Sequence, residues 1–218
     1  MAGPGKCFLV TGPPVSEFHL VIESCNIMSC CKTLGIFFLQ GVGKTTLIMR
    51  VIEALKASNL SLKVQGFYSR EVRQGSEGVG FEVVTLDGRR GRLASSTISS
   101  PESFRWPNVG KYKVDITSFE PLALPELQVR EDIDLFIIDE VGKMEMYSSS
   151  FFPAVLKVLE SSIPILASVP IPKFGRDIPG VSRLKNHPGA TIFTLSTSNR
   201  DAVKDHIYSI LVDLLNKH

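Results

Sequence analysis
Past position 31 the chain has no cysteine, and it carries almost no net charge: 24 Lys and Arg stand against 22 Asp and Glu, for +2 at pH 7. So balanced a composition gives no electrostatic footprint for nucleic acid or an anionic membrane, and neither is expected as a partner. The four cysteines are Cys7, Cys25, Cys30 and Cys31. They lack both the Cys-x-x-Cys spacing of a zinc pair and the layout of a disulfide framework, so free thiols in a reducing compartment are expected. The start MAGPGKCFLVTG has one Lys and a four-residue apolar run, which is not the pattern of a signal peptide. Phe18 to Leu39 is apolar enough to raise the question of a membrane span, but His19, Glu23, Asn26 and Lys32 interrupt it. Charged groups are costly at a bilayer centre, so no membrane segment is expected. Repeats and low-complexity tracts are also lacking. What remains is an ordinary globular composition over 218 residues, 44% apolar and 21% charged, long enough for one substantial core. The expectation is a single domain, soluble, cytoplasmic and monomeric.

Short apolar runs alternate with amphipathic stretches, the signature of a mostly parallel sheet with helices on both faces. CFLV (Cys7 to Val10) reads as a buried strand. Lys44 to Ala57 reads as a helix with Leu47, Ile48, Val51 and Leu55 on one face. Lys63 to Val72 and Val79 to Leu86 read as strands of a β-hairpin, the second closing on the turn pair Asp87-Gly88. Arg89, Arg90 and Arg92 crowd the next turn, as a cation source for a transition state or as a solvated turn. Ser95 to Gly110 is expected to be a loop, and Thr117 to Glu131 a helix interrupted by Pro121 and Pro125. DLFIID (Asp134 to Asp139) has the unbroken apolar run of a buried parallel strand. Phe151 to Glu160 is predicted helical, Ile163 to Val169 a strand, Pro170 to Gly189 a loop and Ala190 to Leu195 a last strand. Asn199 to Leu215 ends the chain as a helix with Ser198 as its N-cap. Thr197-Ser198-Asn199-Arg200 could meet a nucleotide base, though capping explains these residues equally well.

GVGKTT (Gly41 to Thr46) opens the first long helix and is the second half of G-x-x-x-x-G-K-[ST]. In that pattern backbone N–H groups and a helix N-terminus wrap anionic phosphates, and Gly lets the backbone approach them closely. Lys44 is placed to reach β- and γ-phosphates, and the Thr45 hydroxyl to ligate Mg²⁺. The glycine expected five residues before Gly43 is instead Phe38. The missing half lies upstream, as VTGPP (Val10 to Pro14) after the CFLV strand. Joining Pro14 to Gly41 restores CFLVTGPPGVGKTTLIMR, so Gly12, Pro13, Pro14, Gly41, Val42, Gly43, Lys44, Thr45 and Thr46 form the expected phosphate loop. Residues 15–40 are then a 26-residue insert within it. Val15-Ser16 can be encoded GTG-AGT, the consensus start of an intron, and Phe37 to Gln40 by pyrimidine-rich codons ending in CAG, the consensus end. A translated intron is the expectation, with a selected insertion as the rival reading.

IDEVGKMEM (Ile138 to Met146) ends the buried strand on two carboxylates. Asp139, at the carboxyl end, is placed to hold Mg²⁺ beside the phosphate loop. Glu140 suits polarisation of an attacking water. Lys143 and Glu145 line the same site or pair with each other on its surface.

With GFYSREVR (Gly66 to Arg73), GFEVVTLDG (Gly80 to Gly88) and DITSFEPLALP (Asp115 to Pro125), these blocks resemble the small P-loop nucleoside-triphosphatase family, which includes thermophilic and cancer-related nucleoside-triphosphatases. The resemblance covers nearly all of the chain except the insert. It implies a P-loop NTPase fold, RecA-like or nucleotide-kinase-like, and hydrolysis of ATP, GTP and other nucleoside triphosphates with Mg²⁺. It also implies Lys44 and Glu140 as catalytic residues and Thr45 and Asp139 as metal ligands. The split loop departs from the family pattern and implies impaired activity. A nucleoside or nucleotide kinase, and a catalytically dead nucleotide-binding protein, are the alternatives.

Overall fold
Alternation along each strand decides which face of the sheet its side chains join, and here both faces are apolar. The computed structural model describes residues 6–12, 43–59, 61–172 and 176–216. The predicted insert 15–40 therefore lies outside the described residues, with Pro13, Pro14, Gly41, Val42 and the cysteines Cys25, Cys30 and Cys31. The elements in chain order are β1 (Cys7–Thr11), α1 (Lys44–Ser58), β2 (Val64–Gln74), β3 (Glu77–Thr85), β4 (Arg90–Ser95), β5 (Asn108–Val109) and β6 (Tyr112–Val114). They continue with α2 (Ile116–Ala123), β7 (Leu135–Asp139), α3 (Phe151–Glu160), β8 (Ile165–Val169), α4 (Pro179–Lys185), β9 (Ala190–Thr194) and α5 (Arg200–Leu215).

Among the described residues these strands form one sheet in the order β5-β6-β4-β3-β2-β7-β8-β1-β9. From β2 to β9 every pairing is parallel, and from β5 to β2 every pairing is antiparallel. The expected hairpin thus grows into a longer antiparallel extension of a parallel sheet. Phe8 and Val10 of β1, Leu135 and Ile137 of β7 and Leu166 of β8 meet Leu47, Ile48, Val51 and Leu55 of α1 and Ile207 and Leu211 of α5. Their neighbours in sequence (Leu9, Phe136, Ile138, Ala167) face the other way, onto Phe119 of α2, Phe151 and Val155 of α3 and Val181 and Leu184 of α4. Helices therefore cover both faces. Phe67, Phe119 and Phe151 meet at ring-centroid distances of 5.5 to 6.2 Å, fastening α2 and α3 to β2. Such aromatic pairs contribute roughly 0.5–1.5 kcal/mol each beyond the area they bury. Cys7 is a free, buried thiol whose burial pushes its pKa up to about 12, so it is not poised as a nucleophile.

Five sequence expectations need correction. Arg90 and Arg92 lie in strand β4 rather than in a turn, because β3 and β4 pair through Val84 and Arg90. Ser95 closes that strand, and the stretch after it contains a 3-10 turn (Glu102–Arg105) and the short strand β5. The run 170–189 holds α4, which begins on Pro179, a residue whose fixed φ suits a first helical turn. Residue 199, not Ser198, precedes α5: the Asn199 carboxamide turns back to accept from Ser196 N at 2.8 Å and to donate to Thr194 O at 3.0 Å. The helix predicted from Thr117 stops at Ala123. Asp115 starts it by accepting from Ser118 N at 3.0 Å, and Pro125 begins a separate 3-10 turn.

Candidate active site
β1 ends at Thr11, and Gly12 follows, still buried. α1 starts on the same edge of the sheet, with Gly43 before it at φ 76°, a left-handed conformation that a side chain would strain. Among the described residues no side chain caps α1, and its first turn contains no acidic residue. The first-turn N–H groups of Lys44, Thr45 and Thr46 are thus available to an anion, with the positive end of the helix dipole behind them. Lys44 bends back across this end. Its ammonium donates to the Gly12 carbonyl at 3.4 Å and lies 3.6 Å from Glu140 Oε2.

β7 delivers the two carboxylates to the same place. Asp139 is buried, and the Ser168 hydroxyl of the neighbouring strand β8 donates to its Oδ1. The other oxygen, Oδ2, has no hydrogen-bond partner among the described residues. Burial pushes the Asp139 carboxyl up to about 6. The Ser168 and Thr45 hydroxyls pull the other way, the charge of Glu140 raises it, and that of Lys44 lowers it. The Thr45 hydroxyl therefore lies beside the Asp139 carboxyl. A buried orphan carboxylate oxygen beside a hydroxyl is a pair of hard oxygen donors, and it fits a magnesium ion that takes few protein ligands. The residues thus fit the ion expected from the sequence.

Glu145 is the residue the sequence left open between the site and the surface. It is buried, its Oε2 accepts from Gly142 N at 3.1 Å, and Lys143 points outward. A Cβ built on Gly142 would stand 2.8 Å from Glu140 Oε1 and 3.0 Å from Glu145 Oε2, so the two carboxyls share one flank of that glycine. Burial, reinforced by the charge of Glu140, pushes Glu145 up to about 8. Ser168 was missed in the sequence. Its signal there was a hydroxyl inside the otherwise apolar run ILASV, next to the carboxylate strand in the sheet.

Gly12, Gly43, Lys44, Thr45, Thr46, Asp139 and Glu140 are all at this edge, where β1, α1 and β7 converge. The arginines of the β3–β4 region are elsewhere. Arg89 pairs with Asp87 at 2.9 Å and Glu126 at 2.6 Å, in a turn facing the opposite edge of the sheet. Arg92 lies 3.6 Å from Asp115. A cavity of about 520 Å³ opens beside Arg92, Trp106 and Asp115, three strands from β7, and none of the site residues lines it.

A family model described as NTPase matches residues 38–208. The chain belongs to this NTPase family. The cancer-related nucleoside-triphosphatase of Homo sapiens is 42% identical over 167 residues, covering 74% of this chain and 86% of the relative. The nucleoside-triphosphatase THEP1 of Thermotoga maritima is 37% identical over 172 residues, covering 78% and 90%. Two solved structures share the fold of this NTPase. The crystal structure of THEP1 from the hyperthermophile Aquifex aeolicus superposes with a TM-score of 0.69 at 29% identity, covering 94% of this chain and 98% of that one. The solution structure of a human cancer-related nucleoside triphosphatase gives 0.69 at 35% identity, covering 95% and 97%. Among the described residues no helix of this NTPase is long and apolar enough to cross a membrane.

Proposed function
We propose that this NTPase hydrolyses nucleoside 5′-triphosphates to the diphosphate and phosphate, with magnesium, at the edge where β1, α1 and β7 meet. The observation that carries this reading is the 3.6 Å approach of Lys44 Nζ to Glu140 Oε2, directly beside the uncapped start of α1. A phosphate-binding cation and a candidate base then lie side by side at the place a terminal phosphoryl group would enter.

The first-turn N–H groups of α1 bind and orient the β-phosphate, and Lys44 draws charge off the β–γ bridge. Glu140 takes a proton from water as its oxygen attacks the γ-phosphorus, while the bond from that phosphorus to the bridging oxygen breaks and the diphosphate leaves. Magnesium bound at the Thr45 hydroxyl and Asp139 would neutralise charge on the phosphate oxygens. Ser168 holds Asp139 in place, and the Gly142–Glu145 contact does the same for the turn carrying Glu140. The same carboxylate could take a proton from an acceptor hydroxyl in a kinase reaction, so product analysis with and without an acceptor separates the two.

Residues 15–40 interrupt the loop between Gly12 and Gly43. We read them as a translated intron that leaves binding weak and turnover slow. The test measures phosphate released from ATP and GTP, with and without magnesium, by the full chain and by one lacking 15–40. Magnesium-dependent release, faster after the deletion, supports the proposal. Absence of release from both chains, or transfer to an added nucleoside in place of release, would sink it.

A further inference from the structure
The sheet order puts the phosphate loop between two different flanks. β1 has β8 and then β7 on one side, with Asp139 and Glu140 at their end, and β9 on the other. Leu195, just past β9, donates its N–H to the Thr11 carbonyl at 2.7 Å, so the turn from β9 into α5 is tied to the end of β1. Asn199 locks that turn through its contacts to Ser196 N and Thr194 O, and the Ser196 and Ser198 hydroxyls bond each other at 3.1 Å. The residue this brace aims is Arg200, the first of α5.

The guanidinium of Arg200 lies against the start of α1. From the point where Gly43 would carry a Cβ, Arg200 Cζ is 3.8 Å away, Nε 3.9 Å and Thr46 Cβ 3.9 Å. Two guanidinium atoms at nearly equal distance mean that the group lies across Gly43 rather than pointing at it end-on. Lys44, the next residue, reaches toward Gly12 and Glu140 instead. The two cations therefore serve opposite flanks of one helix start.

A triphosphate bound here has a fixed polarity. Its γ-phosphoryl group must lie beside Glu140 for a water held there to attack it, so its nucleoside end must run toward β9 and α5. We propose that Arg200 and the turn from Ser196 to Asn199 form the nucleoside-side subsite, with the guanidinium plane stacking on the base. The inference rests on the proposed function above and adds which end of the substrate goes where. Guanidinium planes stack on aromatic faces, and every base has such a face. A subsite of this kind accepts purines and pyrimidines alike.

The test compares binding of ATP, GTP, CTP, UTP and inorganic tripolyphosphate by the full chain, by calorimetry without magnesium, in the wild type and in R200A, R200K and K44A. Thermal midpoints serve as the control for folding. R200A is expected to raise Kd about tenfold for all four nucleotides and to leave tripolyphosphate unchanged, a difference of about 1.4 kcal/mol between the two ligand classes. R200K keeps the charge but loses the plane, and is expected to resemble R200A. K44A is expected to weaken nucleotides and tripolyphosphate together. If R200A weakened tripolyphosphate equally, or changed nothing while K44A acted as stated, the subsite assignment alone would be overturned. A loss confined to one base, or full rescue by R200K, would overturn the stacking role. If K44A changed nothing, or the wild type bound no triphosphate, the underlying reading of the site would fall and this inference with it.

Discussion

Lys44 Nζ and Glu140 Oε2 stand 3.6 Å apart, and the burial of the pair is uneven: the Lys44 side chain is 10% exposed and that of Glu140 34%. The cation belongs to the floor of the site and the carboxylate to its mouth. Without a triphosphate each neutralises the other. In the proposed reaction the phosphates would take over the cation and leave the Glu140 carboxylate to water.

The first prediction follows from that exchange. Lys44→Ala should lower phosphate release by about 100- to 1,000-fold, the range for removing one charge-stabilising donor at a reacting centre. Steady-state phosphate release measures it. An unchanged rate would remove Lys44 from the machinery.

Glu140→Gln keeps the shape of the side chain and removes its basicity. Hydrolysis should slow by about 100-fold or more while the Kd for a triphosphate stays within about twofold. Asp139→Asn should act differently, raising the magnesium concentration needed for half-maximal rate. Normal turnover in Glu140→Gln would transfer the base role to another group.

Much of this site was legible in the sequence because each part sits at the end of a strongly patterned element. CFLV and DLFIID have unbroken apolar runs, and in a parallel sheet such runs end side by side at one edge. Gly12, Lys44, Asp139 and Glu140 are brought together for that reason. The antiparallel half was harder to read. β4 is RGRLAS, whose two arginines look like a turn, and its pairing to β3 depends on partners far along the chain. α4 was hidden by the prolines around it, since Pro179 can start a helix as readily as end one. Ser168 and Glu145 carry signals only once β7 and β8 are known neighbours and Glu145 is known to point inward.

Ser168→Ala tests the support of Asp139. The Asp139 Oδ1 atom would stay buried without a donor, and leaving a buried acceptor unsatisfied costs about 1–3 kcal/mol. A lower denaturation midpoint is expected, together with a higher magnesium requirement, because the carboxylate loses its fixed orientation. A variant as stable as the wild type with unchanged magnesium dependence would contradict the hydrogen bond.

Glu145 makes stability depend on pH in a definite direction. Its carboxyl titrates at about 8 when folded, against an ordinary 4.5, because burial disfavours its charge. Between those two values the folded state keeps a proton that the unfolded chain has released. The stability that Glu145 contributes is therefore greatest at and below pH 4.5, falls as pH rises to about 8, and is flat above. Glu145→Gln cannot ionise and should lack this slope. Its thermal midpoint should gain on the wild type as the buffer moves from pH 5 to pH 8. A constant difference across that range would show that Glu145 is not held as the acid.

The last prediction concerns residues 15–40. The N–H groups from Lys44 onward belong to α1 and follow residues 15–40 in the chain, so part of the proposed phosphate nest would survive them. What the interruption removes is the short tether between Gly12 and Gly43, which would fix the height of the loop over the carboxylates. Lengthening a loop costs only about 0.6 kcal/mol of closure entropy per doubling. The fold should therefore tolerate these residues well, and a chain lacking them should melt within a few degrees of the full chain. Catalysis is less tolerant, since a displacement of about 1 Å between reacting groups can cost about a hundredfold in rate. Deleting 15–40, which joins Pro14 to Gly41, should raise phosphate release far more than it raises the thermal midpoint. Sequencing the transcripts supplies the independent check, because an intron predicts a shorter message without these codons. Equal rates in the two chains, with every transcript carrying the segment, would establish it as a genuine part of the protein.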